Sequence, residues 1–222
     1  MKLLWSGGRL LRCRLAPLKV VAASKSYSSE ANVAMSLASE REKRLIWVDC
    51  EMTGLDYERQ RLVEIAVLVT EGDDHLTLVE KGPDLVIHQP ESVLDEMDPW
   101  CVNQFKQNGL LERIRQSEVT EAEAESRVLA FVERHTEKGV CPLAGNSVGV
   151  DRLFIRRYMP RLHEHFHYRN VDVSSVKELA KRWFPEKMQG KPPKSSSHRA
   201  MDDILESLEE LVFYRRAVFV QR

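Results

Sequence analysis

The chain lacks any apolar run that approaches the roughly 20 residues needed to cross a bilayer, so a membrane span is not expected. Cysteine is scarce: the 222 residues contain four, none of them in a C-x-x-C pair, namely Cys13, Cys50, Cys101 and Cys141. This spacing indicates neither a zinc site nor a disulfide framework, and it is compatible with a reducing compartment. With 43% hydrophobic and 30% charged residues, the composition is typical of a soluble globular protein.

Acidic residues are absent from the first 29 positions, which contain six basic residues and precede Glu30. Arg, Lys, Leu, Ala and Ser dominate this segment, a composition typical of a mitochondrial transit peptide. A basic tail that binds nothing in particular is the alternative. We therefore treat residues 1–40 as a targeting or disordered segment and residues 41–222 as one domain. Met35 could start a shorter form that stays in the cytosol or enters the nucleus.

The body of the chain is acidic. From residue 30 onward it has 27 basic and 34 acidic residues, which argues against a broad basic face that grips long nucleic acid. If such a protein handles nucleic acid, metal ions and a few local contacts must hold a short piece of it.

The body begins with apolar runs rich in β-forming residues. Residues 45–50, LIWVDC, predict a buried strand, and residues 61–70, RLVEIAVLVT, predict a second one. Two further strands are predicted at 76–80 and 84–88, separated by Gly82-Pro83. Together these runs predict an antiparallel meander.

Helices and strands alternate after the meander. Capping-box signatures at Thr120 and Ser175 predict helix starts, and the second helix would run through Trp183. The other predicted elements are an apolar run over 140–144, a helix over 150–158, a strand over 168–173, a polar loop over 185–197 and a last helix over 199–219. Apolar residues on one side of that last helix are Ile204, Leu205, Leu208, Leu211 and Val212. The pattern predicts a single α/β domain on a mixed sheet.

Two carboxylates end the first predicted strand. Asp49 and Glu51 are two positions apart, and residues i and i+2 of a strand point to the same face, so the carboxylates converge. Ionised acids at the end of an apolar strand are unfavourable without a cationic partner, and a pair of divalent metal ions would be one. For this tripeptide alone, a salt-bridged pair or a turn-capping Asp is the more ordinary explanation.

Further acids and a histidine follow along the chain. Asp151 begins the predicted helix after the turn at 145–147, where the helix dipole favours an acid in any case. His198 and Asp203 are five positions apart, about 140° around a regular helix, so they do not share a helix face. We therefore expect His198 in the loop or at the helix entrance, and Asp203 inside the last helix.

The order of these elements is more specific than any one of them. D-x-E, a distant Asp and H-x4-D resemble the pattern of the DEDDh exonucleases, whose fold is like that of ribonuclease H. The blocks WVDCEMTGLD, CPLAGNSVGVDRLF, HYRNVDVSSVKEL and SHRAMDDI look like those of the oligoribonucleases, and this resemblance covers residues 45–216. It implies a ribonuclease H-like mixed sheet flanked by helices. It also implies 3′-to-5′ hydrolysis of short oligoribonucleotides, dinucleotides especially, to nucleoside 5′-monophosphates.

The resemblance further implies a cofactor of two divalent ions, Mg²⁺ or Mn²⁺, which lie roughly 3.5–4 Å apart in such sites. An all-oxygen ligand set suits these hard cations, and the implied ligands are Asp49, Glu51, Asp151 and Asp203. His198 would take the proton of the attacking water, since a histidine has an unperturbed pKa of about 6.5. Asp202 is a rival to Asp203, and the H-x4-D spacing selects Asp203.

The resemblance also names two residues that would hold the bases. Leu55 matches a residue that wedges between the two bases of a dinucleotide, and Trp100 matches one that stacks on a base. Stacking contributes about 1–3 kcal/mol per base and tolerates any base. An aromatic residue in the core or at an interface is the alternative for Trp100.

Four residues match those that form the family's pocket for the terminal 5′ phosphate: Ser147, Ser174, Tyr168 and Arg169. The resemblance implies that Tyr168 and Arg169 reach in from the second subunit of a homodimer. The alternatives are that Ser174 caps a helix and that Arg169 makes a surface ion pair. Phe105 departs from the family, which usually has a phosphate-binding His there. Because Phe cannot donate a hydrogen bond, this departure affects the preference for dinucleotides over slightly longer oligomers.

Three functions are compatible with these features. An exoribonuclease that acts on short RNA in mitochondria is favoured. A 3′-to-5′ exonuclease acting on DNA or longer RNA is the alternative, and the acidic body counts against it. A non-catalytic nucleotide-binding module would be expected to lack at least one of the four acids, and none is missing.

Overall fold

The computed structural model describes residues 40–193 and 198–219. Apart from Glu40, the targeting segment predicted over residues 1–40 lies outside the described residues, and so does the alternative start at Met35.

A mixed sheet of five strands organises the described residues: β1 Leu45–Met52, β2 Leu62–Thr70, β3 Leu78–Val86, β4 Pro142–Gly145 and β5 His167–Asp172. Strands β1, β2 and β3 form an antiparallel meander, whereas β4 runs parallel to β1 and β5 runs parallel to β4. The strand order is β3-β2-β1-β4-β5, with β1 in the centre. The predicted meander and the mixed α/β sheet are confirmed.

Strand β3 replaces the two short strands predicted at 76–80 and 84–88, so that prediction was wrong. It continues through Gly82-Pro83 because it lies at the edge of the sheet, where a proline is tolerated. The pairing of β2 with β3 shifts between Ala66 and Leu68. Gly82-Pro83 lies opposite this shift, and a β-bulge there takes the proline out of the hydrogen-bonded ladder.

Helices cover both faces of the sheet. Within the described residues they are α1 Glu91–Leu94, α2 Pro99–Gln107, α3 Leu110–Gln116, α4 Glu121–His135, α5 Gly149–Tyr158, α6 Pro160–His165, α7 Val173–Trp183 and α8 Ala200–Ala217, with a 3₁₀ helix at Pro185–Gly190. The 3₁₀ helix corrects the loop predicted over 185–197, whose last four residues lie outside the description.

Alternation along β1 divides its side chains between two cores. Ile46 and Val48 are buried in the core shared with α4, α5 and α6, whereas Trp47 is buried against α7 and α8. Successive residues of a strand point to opposite faces. Asp49 and Glu51 therefore follow Trp47 onto the face that α8 covers.

Helices α2 and α3 were not predicted, although the sequence contains a start signal for α2. Asp98 is the N-cap of α2, and its side chain accepts a hydrogen bond of 2.8 Å from the backbone N–H of Trp100. Pro99 occupies the first helical position, which proline favours. The two helices form a third core with residues of β2 and β3, and they bring Trp100 to the end of β1.

One of the two predicted helix caps is confirmed. The Thr120 side chain accepts a hydrogen bond of 3.2 Å from the backbone N–H of Glu123 at the start of α4. The start predicted at Ser175 was wrong, because α7 begins at Val173 and Asp172 is its cap. An aspartate at the end of β5 can accept from the backbone as soon as the strand ends, so the helix needs no later cap.

Helix α8 buries a more polar face than predicted. Its buried residues are Ala200, Ile204, Ser207, Glu210 and Tyr214, of which only Ile204 was in the predicted apolar set. Leu205, Leu208 and Leu211 are partly buried against the same core. The Tyr214 hydroxyl donates to Glu210 at 2.6 Å, which helps to compensate the burial of that carboxylate.

The helices and the cysteines of the described part of the chain have two further properties. None of its helices combines the length and the apolar character that a bilayer span requires. The three cysteines that it contains, Cys50, Cys101 and Cys141, are buried and form no disulfide.

Candidate active site

A cleft of about 480 Å³ opens where β1 and β4 end. Its lining brings together eight of the residues that the sequence predicted for the site: Asp49, Glu51, Leu55, Trp100, Ser147, Asp151, His198 and Asp203. They come from β1, from the loop after it, and from α2, α5 and α8 or their entrances. These parts meet because the parallel strands β1 and β4 end at the same edge of the sheet. Ser174, Tyr168 and Arg169 do not line this cleft.

Asp151 joins α5 to the central strand. It lies in the first turn of α5 and is buried, and its Oδ1 atom accepts a hydrogen bond of 2.9 Å from the backbone N–H of Cys50. Burial raises the pKa of Asp151 to about 7, although hydrogen bonds from backbone N–H groups act in the opposite direction. A nearby cation would favour the ionised form of this carboxyl group.

Glu51, His198 and Asp203 form a compact group in the cleft. One possible ligand atom of each lies within 4.8 Å of the others. Burial, followed by the negative charges of Asp203, Glu64 and Asp151, raises the pKa of Glu51 to about 8. A divalent cation would relieve this repulsion. Carboxylate oxygens are the ligands that Mg²⁺ and Mn²⁺ prefer, so the residues present fit such an ion.

His198 lies outside the helix, at its entrance, and Asp203 lies in the first turn of α8. The backbone of His198 has φ +48°, in the left-handed region that residues other than glycine rarely adopt. The side-chain amide of Asn108 donates to the His198 carbonyl at 2.9 Å. The imidazole meets the indole of Trp100 edge to face, with ring centroids 5.4 Å apart.

Leu55 and Trp100 present apolar surface to the opening of the cleft. Leu55 is 80% exposed and Trp100 is 59% exposed, unusually high fractions for large apolar side chains that line a cleft. Exposed apolar side chains can pack or stack on nucleobases without selecting one base over another. The arrangement places two apolar side chains next to the carboxylates.

Ser147 and Ser174 meet beside the cleft. Their hydroxyl oxygens are 3.1 Å apart, and Ser174 also donates to the side-chain carbonyl of Asn146 at 3.0 Å. The backbone N–H of Ser147, which has φ +52°, donates to Asp172 at 2.9 Å. Asp172 accepts from the Ser174 N–H as well, so one aspartate orients both serines.

Tyr168 and Arg169 lie on the exposed part of β5, away from the cleft lining of their own chain. Tyr168 is 72% exposed, and the Arg169 guanidinium lies 5.1 Å from the centre of its ring. The structure therefore does not bring these two residues to the carboxylates of the same chain.

Phe105, the position at which the sequence departs from the phosphate-binding His of the family, does not line the cleft. Its side chain is fully buried in the third core, with Val63 and Leu110 among its neighbours. An apolar ring at this position packs against apolar neighbours rather than facing a polar cleft.

Several residues of the site were not predicted. Asn146 and Ser207 line the cleft, and the Asn146 amide donates to the Ser207 hydroxyl at 2.7 Å. That hydroxyl donates to the backbone carbonyl of Asp203 at 2.7 Å. The polar residues that interrupt the apolar stripe of α8, Ser207 and Glu210, were the available signal for this network.

Comparison with known proteins gives relatives along most of the chain. The family model described as Exonuclease (RNase_T) matches residues 46–211. The probable oligoribonuclease of Caenorhabditis elegans is 51% identical over 180 residues, which are 81% of this chain and 91% of that protein. The human protein named oligoribonuclease, mitochondrial, is 45% identical over 193 residues, which are 87% of this chain and 81% of that protein.

Solved structures show the same fold in more distant proteins. The exonuclease I of Methylocaldum szegediense has a TM-score of 0.61 at 18% identity and covers 79% of this chain. E. coli exonuclease I in complex with a dA16 oligonucleotide has a TM-score of 0.59 at 14% identity, with the same coverage. This chain spans 41% of each of those longer chains. The likeness supports the predicted ribonuclease H-like fold.

Proposed function

The chain belongs to the exonuclease family and, within it, to the oligoribonucleases, and from this premise we propose that it degrades short oligoribonucleotides from the 3′ end. Dinucleotides are the preferred substrates and nucleoside 5′-monophosphates are the products. One observation carries the proposal: a single cleft contains four carboxylates and a histidine next to two exposed apolar side chains. The lining suits one phosphodiester bond between two bases.

The four carboxylates account for the metal dependence of the exonuclease family. The residues that would hold Mg²⁺ or Mn²⁺, two ions in each site, are Asp49, Glu51, Asp151 and Asp203. Bound ions would supply a Lewis acid and lower the pKa of a water molecule. The fit rests on the donor set and on the raised pKa of Glu51, which burial and the neighbouring carboxylates produce and which Arg199 only partly offsets.

His198 and the apolar residues act on the substrate. The imidazole of His198 accepts the proton of the attacking water, and its ring nitrogen within 4.8 Å of ligand atoms of Glu51 and Asp203 supports this role. Leu55 and Trp100 hold the two bases by stacking and packing. Neither contact depends on which base is present, and this tolerance suits substrates of mixed sequence.

A homodimer completes the site. Ser147 and Ser174 bind the terminal 5′ phosphate, and Tyr168 and Arg169 of a second subunit close the pocket over it. The exposure of Tyr168 and its distance from the cleft of its own chain support this assignment. Light scattering on the active protein should give twice the chain mass of 25.6 kDa. An active monomer would refute the role of the second subunit.

We also propose that the chain works in mitochondria, with a shorter form from Met35 in the cytosol or nucleus. The mouse, bovine and human relatives are named mitochondrial, and the first 29 residues are basic and free of acids. The full chain with a C-terminal fluorescent tag should enter mitochondria, whereas a chain that starts at Met35 should not.

A substrate comparison tests the function. The full chain is given a 5′-labelled RNA dinucleotide, a long single-stranded RNA and a DNA of the same sequence, with and without Mn²⁺. We expect fast, metal-dependent hydrolysis of the dinucleotide. No hydrolysis of the dinucleotide would refute the proposal, and faster loss of the long strands would favour an exonuclease for DNA or longer RNA.

A further inference from the structure

Glu64 is a buried carboxylate next to the cleft. It lies on β2 directly opposite Glu51 of β1, and it is 0% exposed. Directly opposite residues of an antiparallel pair project on the same face of the sheet. Glu64 therefore lies under α8 beside the site, without lining the cleft. A carboxylate in such a place requires a partner.

Arg199 is its main partner, and Arg113 lies farther away, with Nη1 3.9 Å from Oε1 of Glu64. The Nη2 atom of Arg199 lies 2.6 Å from Oε1 of Glu64, and its Nε atom lies 3.1 and 3.2 Å from the two carboxylate oxygens. The backbone N–H of Ala200 donates to the same carboxylate at 3.2 Å. Glu64 therefore binds the arginine before α8 and caps the first N–H of that helix, where the helix dipole favours a negative group.

The ion pair lies at the junction between His198 and the first turn of α8. His198 comes immediately before Arg199, in a left-handed conformation that costs of order 1–3 kcal/mol and persists only where the surroundings hold it. Asn108 holds the His198 carbonyl from the other side. After Arg199, the Asp203 N–H donates to the Arg199 carbonyl at 3.0 Å, so the same turn presents a carboxylate to the cleft.

We propose that Glu64 and Arg199 are positioning residues that hold His198 beside the carboxylates of the cleft. Asn108 completes the arrangement through its hydrogen bond to the His198 carbonyl. The inference deepens the function proposed above and rests on it, because the role assigned to these residues acts on the reaction through the position of His198.

The chain contains a matched ion pair at another helix start. Glu125 of α4 is buried and accepts from Nε of Arg161 at 2.8 Å and from the Arg161 backbone N–H at 2.7 Å. This carboxylate caps the start of α6 as Glu64 caps α8, yet neither Glu125 nor Arg161 lines the cleft. Glu125→Gln therefore reproduces the loss of a buried carboxylate that binds an arginine and caps a helix, while leaving His198 untouched.

The first test observes His198 directly in the full chain. The seven histidines are labelled with ¹³C, and the ring signal that His198→Ala removes is assigned to His198. We expect Glu64→Gln and Asn108→Ala to shift or broaden that signal, and Glu125→Gln to leave it unchanged. Asn108 is only partly buried, so its variant stays informative if Glu64→Gln does not fold. An unmoved His198 signal in the folded variants overturns the proposal.

The second test is a double-mutant cycle on dinucleotide hydrolysis. We expect Glu64→Gln to lower kcat by about tenfold or more with less than about a threefold change in KM, and Glu125→Gln to change neither by as much. In a His198→Ala background, Glu64→Gln should lower kcat by less than about twofold. Equal losses in both backgrounds overturn the role through His198. An unmutated chain without any hydrolysis would instead refute the proposed function, and the NMR signal would still decide the positioning.

Discussion

Asp202 and Asp203 are adjacent on the first turn of α8, yet their surroundings differ. Consecutive residues of a helix are about 100° apart, so only one of the two can point at the cleft. Asp203 lines the cleft with a ligand atom within 4.8 Å of Glu51 and His198, whereas Asp202 is exposed. Asp202 is therefore a natural control for the assignment of Asp203 as a metal ligand.

Asp203→Asn removes a carboxylate charge from the cleft at nearly constant volume. We expect dinucleotide turnover at saturating Mn²⁺ to fall by more than about 100-fold, because loss of an outer-shell partner already costs about 10–100-fold and Asp203 is assigned as a ligand itself. Asp202→Asn should retain turnover within about threefold. Steady-state kinetics on both variants decides the assignment, and the reverse order of losses would transfer the ligand role to Asp202.

Residue types and spacing predicted the residues that line the cleft better than the residues that hold them in place. Asp49 and Glu51 converge because a strand has a period of two, and the resemblance supplied the more distant residues. Glu64 and Arg199 were not predicted because their contact joins positions 135 residues apart, which no local spacing reports. The sequence shows that Phe105 departs from the family, but it does not show that this side chain is buried in the core.

At the scale of elements, the two capping-box signatures had different outcomes. Thr120 caps α4 through the Glu123 N–H. Ser175 lies inside α7, exposed, with its hydroxyl 3.3 Å from Asp172 Oδ2. The pattern S/T-x-x-E alone does not tell a helix cap from a residue inside a helix. In α7 an earlier acceptor, Asp172 at the end of β5, caps the helix before Ser175 is reached.

Thr120→Ala should lower the free energy of unfolding by about 1 kcal/mol, since it leaves a backbone N–H at the start of α4 without its acceptor. Ser175→Ala is the matched control and should change the free energy by less than about 0.5 kcal/mol. Urea unfolding of the full chain measures both values. Equal losses for the two variants would contradict the assignment of Asp172 as the cap of α7.

Element types were predicted more accurately than element limits. Strands β1 and β2 were predicted within one or two residues because apolar β-branched runs of this length fit a buried strand. Gly82-Pro83 was interpreted as a break, since a sequence does not reveal that β3 lies at an edge where a bulge accommodates proline. The buried polar face of α8 was missed for a related reason: Glu210 has lysine partners from other elements, which a local pattern does not reveal.

At the scale of the whole molecule, folding places Glu51 and Asp151 where their carboxyl groups hold protons more tightly than in the unfolded chain. The pKa of Glu51 rises to about 8 and that of Asp151 to about 7, burial being the largest cause in both. Their contribution to stability is therefore full below the unfolded pKa values of about 4. That contribution is lost as the pH rises through about 7 and 8.

Metal binding should reverse this loss. An ion bound by the carboxylates must displace their protons, so its affinity rises with pH, and a ligand that binds only the folded state stabilises it. We expect the gain in Tm on adding Mg²⁺ or Mn²⁺ to be larger at pH of about 8 than at pH of about 5.5. Thermal unfolding of the full chain with metal or with a chelator, at each pH, measures the difference.

The difference in Tm with and without metal separates the effect of the site from the effects of the other titrating groups. Burial lowers the pKa of His135, His163 and His165, so these histidines destabilise the fold as the pH falls below about 6.5 and oppose the trend set by the carboxylates. Their effect is present in both samples and cancels in the difference. Replacing the acids with amides, as Glu51→Gln and Asp151→Asn, should abolish both the metal-induced gain and its pH dependence. A gain that survives in that double variant would place the stabilising ion elsewhere in the molecule.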